Sequence, residues 1–134
     1  MSMNTNKLVI WDLDGVLLDS REIHFQALNM ALSSIGPQFI ITWEEHLSKY
    51  GGLPTTKKLK LLTEEKGLPA DRHDLVWKLK QQHTIVLYQQ IPQNPDLGLI
   101  FKELHNAGIA IAVASNSIRQ TMVIALSRLG VFEQ

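Results

Sequence analysis

The chain has 134 residues, of which 45% are hydrophobic and 19% are charged, as is usual for a globular protein with a buried core. Its 13 basic and 13 acidic residues give zero formal charge, and it contains no cysteine. This composition excludes a disulfide framework, a thiol nucleophile and cysteine metal ligands, and it gives no general attraction to nucleic acid or an anionic membrane. The polar start does not resemble a secretory signal, and no apolar run approaches the roughly 20 residues of a membrane span. We therefore expect a cytoplasmic protein without nucleic-acid or membrane partners.

The first expected element is an apolar run, residues 8–11, which leads into Asp12 and Asp14 and then Gly15. The run predicts a buried strand of a parallel sheet, and open α/β sheets bind ligands at the carboxyl ends of such strands. Residues two apart on an extended chain point to the same side, so both carboxylates can face one pocket. Gly15 permits a sharp turn beside a ligand.

Two carboxylates this close repel each other unless a cation or a shared proton intervenes. One arrangement makes Asp12 a nucleophile beside Mg²⁺, while Asp14 exchanges a proton. Mg²⁺ suits such a site because it binds one or two carboxylates together with water and phosphate oxygens. The alternative is a strand followed by an ordinary Asp-Gly turn, in which the carboxylates are merely solvated.

The string from Asp12 to Ser20, Asp-x-Asp-Gly-Val-x-x-Asp-Ser, resembles the first motif of the haloacid dehalogenase-like (HAD) hydrolases, in particular the phosphatases related to β-phosphoglucomutase. The resemblance implies that Asp12 attacks phosphorus to form an aspartyl-phosphate and that Asp14 acts as general acid and then as general base. It also implies Mg²⁺ bound by Asp12 and Asp14, a small phosphorylated metabolite as substrate, and a Rossmann-like parallel sheet core with an inserted helical C1 cap. His24 matches a histidine near the general acid in this subgroup; an ordinary helix histidine is the equal alternative.

Four helical segments are expected between the first motif and the next, a separation too long for a simple crossover between parallel strands. We therefore predict an α/β core formed by residues 1–18 and 93–134, with residues 19–92 as the helical cap. Apolar spacing and end signals predict these helical segments at residues 21–34, 42–50, 54–67 and 71–92. Ser20 can cap the first segment, and Thr42 and Glu45 have the spacing of a capping box at the start of the second. The apolar face of the last segment is expected to carry Leu75, Leu79 and Val86.

The cap loop Gly51-Gly52-Leu53-Pro54 resembles the substrate-specificity loop of the subgroup, which implies that Gly52 helps to bind the phosphorylated substrate. Mutases place an arginine three residues after Gly52, where this chain has Thr55. The resemblance therefore favours hydrolysis over mutase activity. Lys57 and Lys58 follow on the same predicted helix and could reach an anionic substrate group, although a lysine pair more often forms a solvated face.

A helix that begins at Asn94-Pro95 precedes a second apolar strand, residues 109–114, which ends in Ser115-Asn116-Ser117 before a helix expected over 118–129. A hydroxyl and free N–H groups at such a helix start suit an anion. The plainer alternative is that Ser115, Asn116 or Ser117 caps the helix. Ser115-Asn116 resembles the second HAD motif, which implies that these residues bind the transferring phosphoryl group.

The third and fourth HAD motifs, a lysine and one or two acids, normally lie beyond the helix of the second motif, and the 134 residues do not include them. About four negative charges on Asp12, Asp14 and a phosphate monoester then meet two positive charges on Mg²⁺. We expect a truncated or split member of the family, with bare sheet edges that favour self-association or a complementing chain.

The rival to a phosphatase is therefore a catalytically incomplete remnant that acts as a binding module. A receiver-type phosphoacceptor ranks third, because the long helical insertion does not suit that compact fold.

Overall fold

The computed structural model describes residues 7–115 and 118–131, and its contacts divide the chain into two compact units. The α/β unit comprises the chain up to Ser20 together with the part from Tyr88 onward, and the helical unit comprises Arg21–Leu87. The architecture is of the α/β class that the sequence predicts. None of the described helices is long and apolar enough to cross a membrane.

The sheet of the α/β unit pairs two parallel strands, β1 (Leu8–Asp12) and β2 (Ala110–Ala114). The register sets Asp12 opposite Ala114. Because parallel strands end at the same edge of a sheet, the first acidic residue lies beside the residue that precedes Ser115. The predicted parallel pairing is confirmed.

The two faces of β1 differ in exposure, although the sequence predicts a buried strand. Leu8 and Ile10 are 57% and 64% exposed. On the opposite face, the Trp11 ring packs against Phe101 with ring centroids 5.5 Å apart. The prediction of burial is therefore wrong for one face, because an apolar run indicates strand residues but does not show which face another element covers.

Two helices complete the described part of the α/β unit, α5 (Pro95–Asn106) and α6 (Arg119–Leu129). The Asn94 side chain caps α5 by accepting a hydrogen bond from the backbone N–H of Leu97 at 3.1 Å. Gly130 ends α6 in the left-handed conformation. The buried side chains include Leu97, Phe101, Ala125, Leu126 and Leu129.

The helical unit has its own hydrophobic core. Its elements are α1 (Arg21–Ser33), a 3₁₀ turn (Pro37–Phe39), α2 (Trp43–Glu45), a π-helical turn (His46–Tyr50), α3 (Thr55–Lys66), a second 3₁₀ turn (Ala70–Arg72) and α4 (His73–Tyr88). The core comprises Leu28, Ala31, Leu32, Phe39, Ile41, Tyr50, Leu59, Leu62, Leu68 and Val76.

Thr42 and Glu45 form the predicted capping box at the start of α2. The Thr42 hydroxyl accepts from the Glu45 N–H at 3.1 Å, and the Glu45 carboxylate accepts from the Thr42 N–H at 3.0 Å. The hydrogen bond from the Thr42 N–H lowers the pKa of Glu45 below its usual value, with a smaller contribution from Lys66. The two residues therefore satisfy each other's polar groups at the helix start.

The buried face of α4 differs from the prediction. Leu75 and Val86 are exposed. The buried side chains instead recur at every fourth residue, at Val76, Lys80, Thr84 and Tyr88. The expectation is therefore wrong for Leu75 and Val86, whereas Leu79 is partly buried and packs against the core. A lysine and a threonine also face inward, where both have polar partners.

Lys58 on α3 is the second buried lysine. Its exposed fraction is 4%, although a pair of neighbouring lysines such as Lys57 and Lys58 more often forms a solvated face. Its neighbour Lys57 is exposed, as expected. Lys58 lies beside Leu59 on the side of α3 that faces the core of the helical unit.

Candidate active site

The loop after β1 folds back on itself. The Leu18 N–H donates to the Leu13 carbonyl at 3.0 Å, and the Gly15 N–H donates to the Leu18 carbonyl at 2.8 Å. Gly15 has a φ of 81°, in the region that favours glycine. Leu13 is completely buried, whereas Asp12 before it is exposed and Asp14 after it is half-buried. The loop therefore anchors itself through Leu13 and leaves both carboxylates accessible.

Asp14 joins the ends of the two strands. The Ser20 hydroxyl donates to Oδ1 of Asp14 at 2.5 Å, and the Ser115 hydroxyl donates to Oδ2 at 3.3 Å. Asp12 lies beside Ala114 in the strand register. The structure thus brings together four of the predicted site residues, Asp12, Asp14, Gly15 and Ser115, at one edge of the sheet.

Ser115 does not have the capping role that was its alternative. The N-cap residue of α6 is Ile118, whose side chain makes no capping hydrogen bond. The Ser115 hydroxyl contacts Asp14 instead. Asn116, also predicted to bind phosphate, lies outside the described residues.

Ser20 is a site residue that the sequence reasoning missed. The sequence suggests only that it can cap the helix that follows, but it is 2% exposed and its hydroxyl donates to Asp14. Charge-assisted O–H···O⁻ bonds are shorter and stronger than neutral ones. Its position in the first motif was the signal that could have identified it, but the motif does not show where the Ser20 hydroxyl points.

His24 and Gly52, two further predicted site residues, belong to the helical unit. Gly52 has a φ of 80° in the loop before α3. Nδ1 of His24 is 3.4 Å from Nζ of Lys80, which also donates to the Thr55 hydroxyl at 3.1 Å. In its own unit, His24 is thus part of a basic cluster.

The donor set at the strand ends fits magnesium in type. Within residues 7–115 and 118–131, no group of three or more His, Asp or Glu side chains could hold a metal ion. Asp12 and Asp14 offer two carboxylates, and Mg²⁺ commonly binds to one or two carboxylates while water and substrate oxygens fill its other positions. These two residues are therefore the candidates for holding Mg²⁺.

Comparison with known proteins gives matches over most of the chain. The model of the haloacid dehalogenase-like hydrolase family matches residues 9–134. β-Phosphoglucomutase from Bacillus subtilis is 27% identical over 83% of this chain and 51% of its own length. A phosphorylated carbohydrates phosphatase from Thermotoga maritima is 22% identical over 90% of this chain and 55% of its own length.

A solved structure shows the same fold. It is a CbbY mutant from Rhodobacter sphaeroides in complex with xylulose-(1,5)bisphosphate, with a TM-score of 0.80 and 20% identity. The match covers 92% of this chain and 57% of that one. The chain therefore spans about half the length of the relatives that it matches.

Proposed function

Because the chain belongs to the haloacid dehalogenase-like hydrolases, we propose that it carries the nucleophile and the general acid/base of a Mg²⁺-dependent phosphatase. One observation carries the proposal: Ser115, at the end of β2, hydrogen-bonds Asp14, two residues after Asp12 at the end of β1. The relatives named for β-phosphoglucomutase and for phosphorylated carbohydrates favour a small phosphorylated sugar as the substrate.

In the proposed reaction a carboxylate oxygen of Asp12 attacks phosphorus, and the bond from phosphorus to the leaving oxygen breaks. Asp14 gives its proton to that oxygen as the alcohol departs. The resulting carboxylate of Asp14 takes a proton from the water that hydrolyses the aspartyl-phosphate, which releases inorganic phosphate and restores both groups. Asp12 and Asp14 would hold Mg²⁺, which would supply positive charge to offset the negative charge of the phosphate.

The hydroxyl groups of Ser20 and Ser115 have different roles in the proposed reaction. Ser20 holds Asp14 at 2.5 Å and therefore fixes the direction of its carboxyl group. The contact from Ser115 to Asp14 is 3.3 Å, longer than the roughly 2.7–2.8 Å that is usual for an O–H···O bond. Such a weak bond is readily exchanged, so the Ser115 hydroxyl can turn to donate to a phosphoryl oxygen.

The test is phosphatase turnover by the purified chain with Mg²⁺ and a set of sugar phosphates. Asp12→Asn keeps the size of the side chain but removes the nucleophilic oxygen, so we expect turnover to fall by about 10³-fold or more. Asp71→Asn, which changes an exposed aspartate of the helical unit, is the matched control. Equal rates for the chain and Asp12→Asn would remove the assignment.

A second candidate function is that of a binding module that associates with a copy of itself or with a complementing chain. It is considered because Leu8 and Ile10 are exposed on one face of the sheet formed by the two described strands, and such sheets need other elements to cover them. Sedimentation across a concentration series tests self-association. Association that Ile10→Lys abolishes would support this function, and a monomer at all concentrations would exclude self-association.

A further inference from the structure

His46 is an ionisable side chain buried in an aromatic pocket of the helical unit. It is 2% exposed. Its ring stacks on the Trp43 ring with centroids 5.2 Å apart, and the Phe25 ring lies 5.4 Å away. Phe25 also packs edge to face on Trp43 at 5.1 Å. The imidazole therefore belongs to a three-ring cluster that joins α1 to the start of the π-helical turn.

The pocket accommodates a neutral imidazole better than an imidazolium. Nδ1 of His46 is buried and has no hydrogen-bond partner among the described residues. The imidazolium carries N–H on both ring nitrogens, so its Nδ1–H would be a buried donor without an acceptor, which is costly. An imidazolium would gain attraction to the Trp43 face, but Trp43 is itself 40% exposed, where such attraction is weak.

The charged groups that face His46 are basic. Burial lowers the pKa of His46 from its usual value, and the charges of Lys58 of α3 and of His24 and Arg21 of α1 lower it further. A hydrogen bond with the Arg21 backbone acts in the opposite direction. On α4, Nζ of Lys80 lies 3.4 Å from Nδ1 of His24 and adds to the same basic surroundings.

The neighbouring carboxylate of α2 is directed to other partners. Glu45 accepts from the Thr42 N–H at 3.0 Å and pairs with Lys66 at 3.2 Å. It is not among the groups that shift the pKa of His46. A proton on His46 therefore meets positive charge and aromatic rings within the part of the helical unit that the structure describes.

The backbone of His46 closes the π-helical turn. Its carbonyl oxygen accepts from the Gly51 N–H at 2.6 Å. A Cβ atom on residue 51 would lie 2.8 Å from that same oxygen, so the closed turn requires glycine at this position. π-Helical turns are rare and frequently lie at functional sites. The position of the His46 ring and the closure of the turn are thus set by one residue.

Tyr50 anchors the other end of the turn. It is completely buried, and its hydroxyl donates to Glu65 of α3 at 3.1 Å. Burial, together with the contact to Glu65, raises the pKa of Tyr50 far above its usual value. Tyr50 therefore keeps its proton near neutral pH, whereas histidine is the side chain that ordinarily changes charge there.

We propose that His46 is a pH-dependent switch of the π-helical turn. The turn is closed while His46 is neutral, and protonation opens it by moving the ring from its aromatic pocket into solvent. Opening also releases the loop Gly51–Pro54, which follows the turn directly. The switch lies within the helical unit and does not depend on the function proposed above.

The direction of the pH dependence follows from the form that the pocket favours. Because the closed turn excludes the proton and the open turn accepts it, closure is complete above about pH 6.5 and is lost as the pH falls below that value. If only the open form binds the proton, the population of the open form rises by about 30-fold between pH 7.5 and pH 5.

The experiment is amide hydrogen exchange of the full chain between pH 7.5 and pH 5, corrected for the intrinsic pH dependence of exchange. We expect the protection of the Gly51 and Leu53 amides to fall by up to about 30-fold over this range. Low concentrations of urea should not affect these two amides, because local opening exposes little surface. The amide of Leu62, in the core of the unit, should respond to urea as global unfolding does.

His46→Phe keeps an aromatic ring and removes the titrating group, so the pH dependence at Gly51 should disappear. His105→Asn, at an exposed position of α5, should retain it. Lys58→Met removes a repelling charge, so the closed turn should accept the proton more readily and the pH dependence should shrink. Lys57→Met removes the same charge from an exposed position of α3 and should leave the pH dependence unchanged.

Gly51→Ala opens the turn without a proton, because the added Cβ atom meets the His46 carbonyl oxygen. The protection of the Leu53 amide should then be low already at pH 7.5 and should no longer depend on pH. Full protection of Leu53 in this variant would contradict the described closure of the turn.

Two further outcomes would overturn the proposal: protection at Gly51 and Leu53 that does not change with pH, or protection at these amides that depends on urea as at Leu62. Retention of the pH dependence in a folded His46→Phe would assign it to another group. If His46→Phe does not fold, as judged by its circular dichroism, Lys58→Met and Lys57→Met decide the question, and equal pH dependence in these two variants would contradict the switch.

Discussion

The two units place charged groups in opposite ways. The α/β unit presents Asp12 and Asp14 at an exposed edge of the sheet, whereas the helical unit buries Lys58 and Lys80 among polar partners. Carboxylates at an open edge remain within reach of solvent and can accept a cation. Buried ammonium groups have lost that solvation, so their positions depend on the surrounding helices.

The largest expected effect on stability concerns the separate core of the helical unit. Leu62 is completely buried in that core, so Leu62→Ala should lower the free energy of unfolding by about 2–5 kcal/mol. Urea denaturation gives the total, and amide hydrogen exchange shows whether protection falls mainly within residues 21–87. Leu47→Ala, at an exposed position of the same unit, should change the stability little. An equal loss for both variants would contradict a core in this unit.

In the α/β unit the next effect is expected at Ser115, which follows the end of β2. Ser115→Ala removes the hydroxyl that contacts Asp14, and it should lower kcat by about 10²-fold, as for the loss of a donor that stabilises transition-state charge. The measurement is steady-state hydrolysis of the best sugar phosphate, with thermal unfolding in parallel. Ser127→Ala, on the exposed side of α6, serves as the control. An unaltered kcat in Ser115→Ala would place the phosphoryl group elsewhere.

A smaller effect is expected at the start of α2. Thr42→Ala removes the hydroxyl that accepts from the Glu45 N–H, which should destabilise the chain by about 1 kcal/mol. Thr56→Ala changes an exposed threonine of α3 and should cost much less. Thermal unfolding of the two variants is the measurement, and equal stabilities would show that the cap does not stabilise the chain.

The last expected effect is the pH dependence of the stability due to His46. Burial and the nearby charges of Lys58 and His24 lower its pKa in the folded chain, so below about pH 6.5 the unfolded chain binds the proton more readily. The stability that His46 contributes is therefore complete above its unfolded pKa and is lost as the pH falls through the lowered folded value. The slope from this one group is at most about 1.4 kcal/mol per pH unit.

Urea denaturation between pH 7.5 and pH 5 measures this slope. His46→Phe should flatten it, because the aromatic ring is kept while the titrating nitrogen atoms are lost. His105→Asn, which replaces an exposed histidine of α5, should leave it unchanged. If both variants show the slope of the parent chain, His46 is not the group responsible.

Several features followed from the sequence because they depend on neighbours along the chain. Asp12 and Asp14 follow an apolar run, and residues two apart on a strand share a side. The capping box of Thr42 and Glu45 needs only a spacing of three residues. The parallel pairing was predictable as well, because two apolar runs separated by a long insertion can pair in this direction.

Only the tertiary structure decided which side chains are buried and where the hydroxyl groups point. Apolar spacing wrongly placed Leu75 and Val86 on the buried face of α4, whereas Lys80 faces inward where Thr55, 25 residues earlier, accepts its hydrogen bond. The bond between Ser115 and Asp14 spans 101 residues. Local patterns measure hydrophobicity and spacing, whereas the free energy of burying a polar group depends on partners that only folding brings within reach.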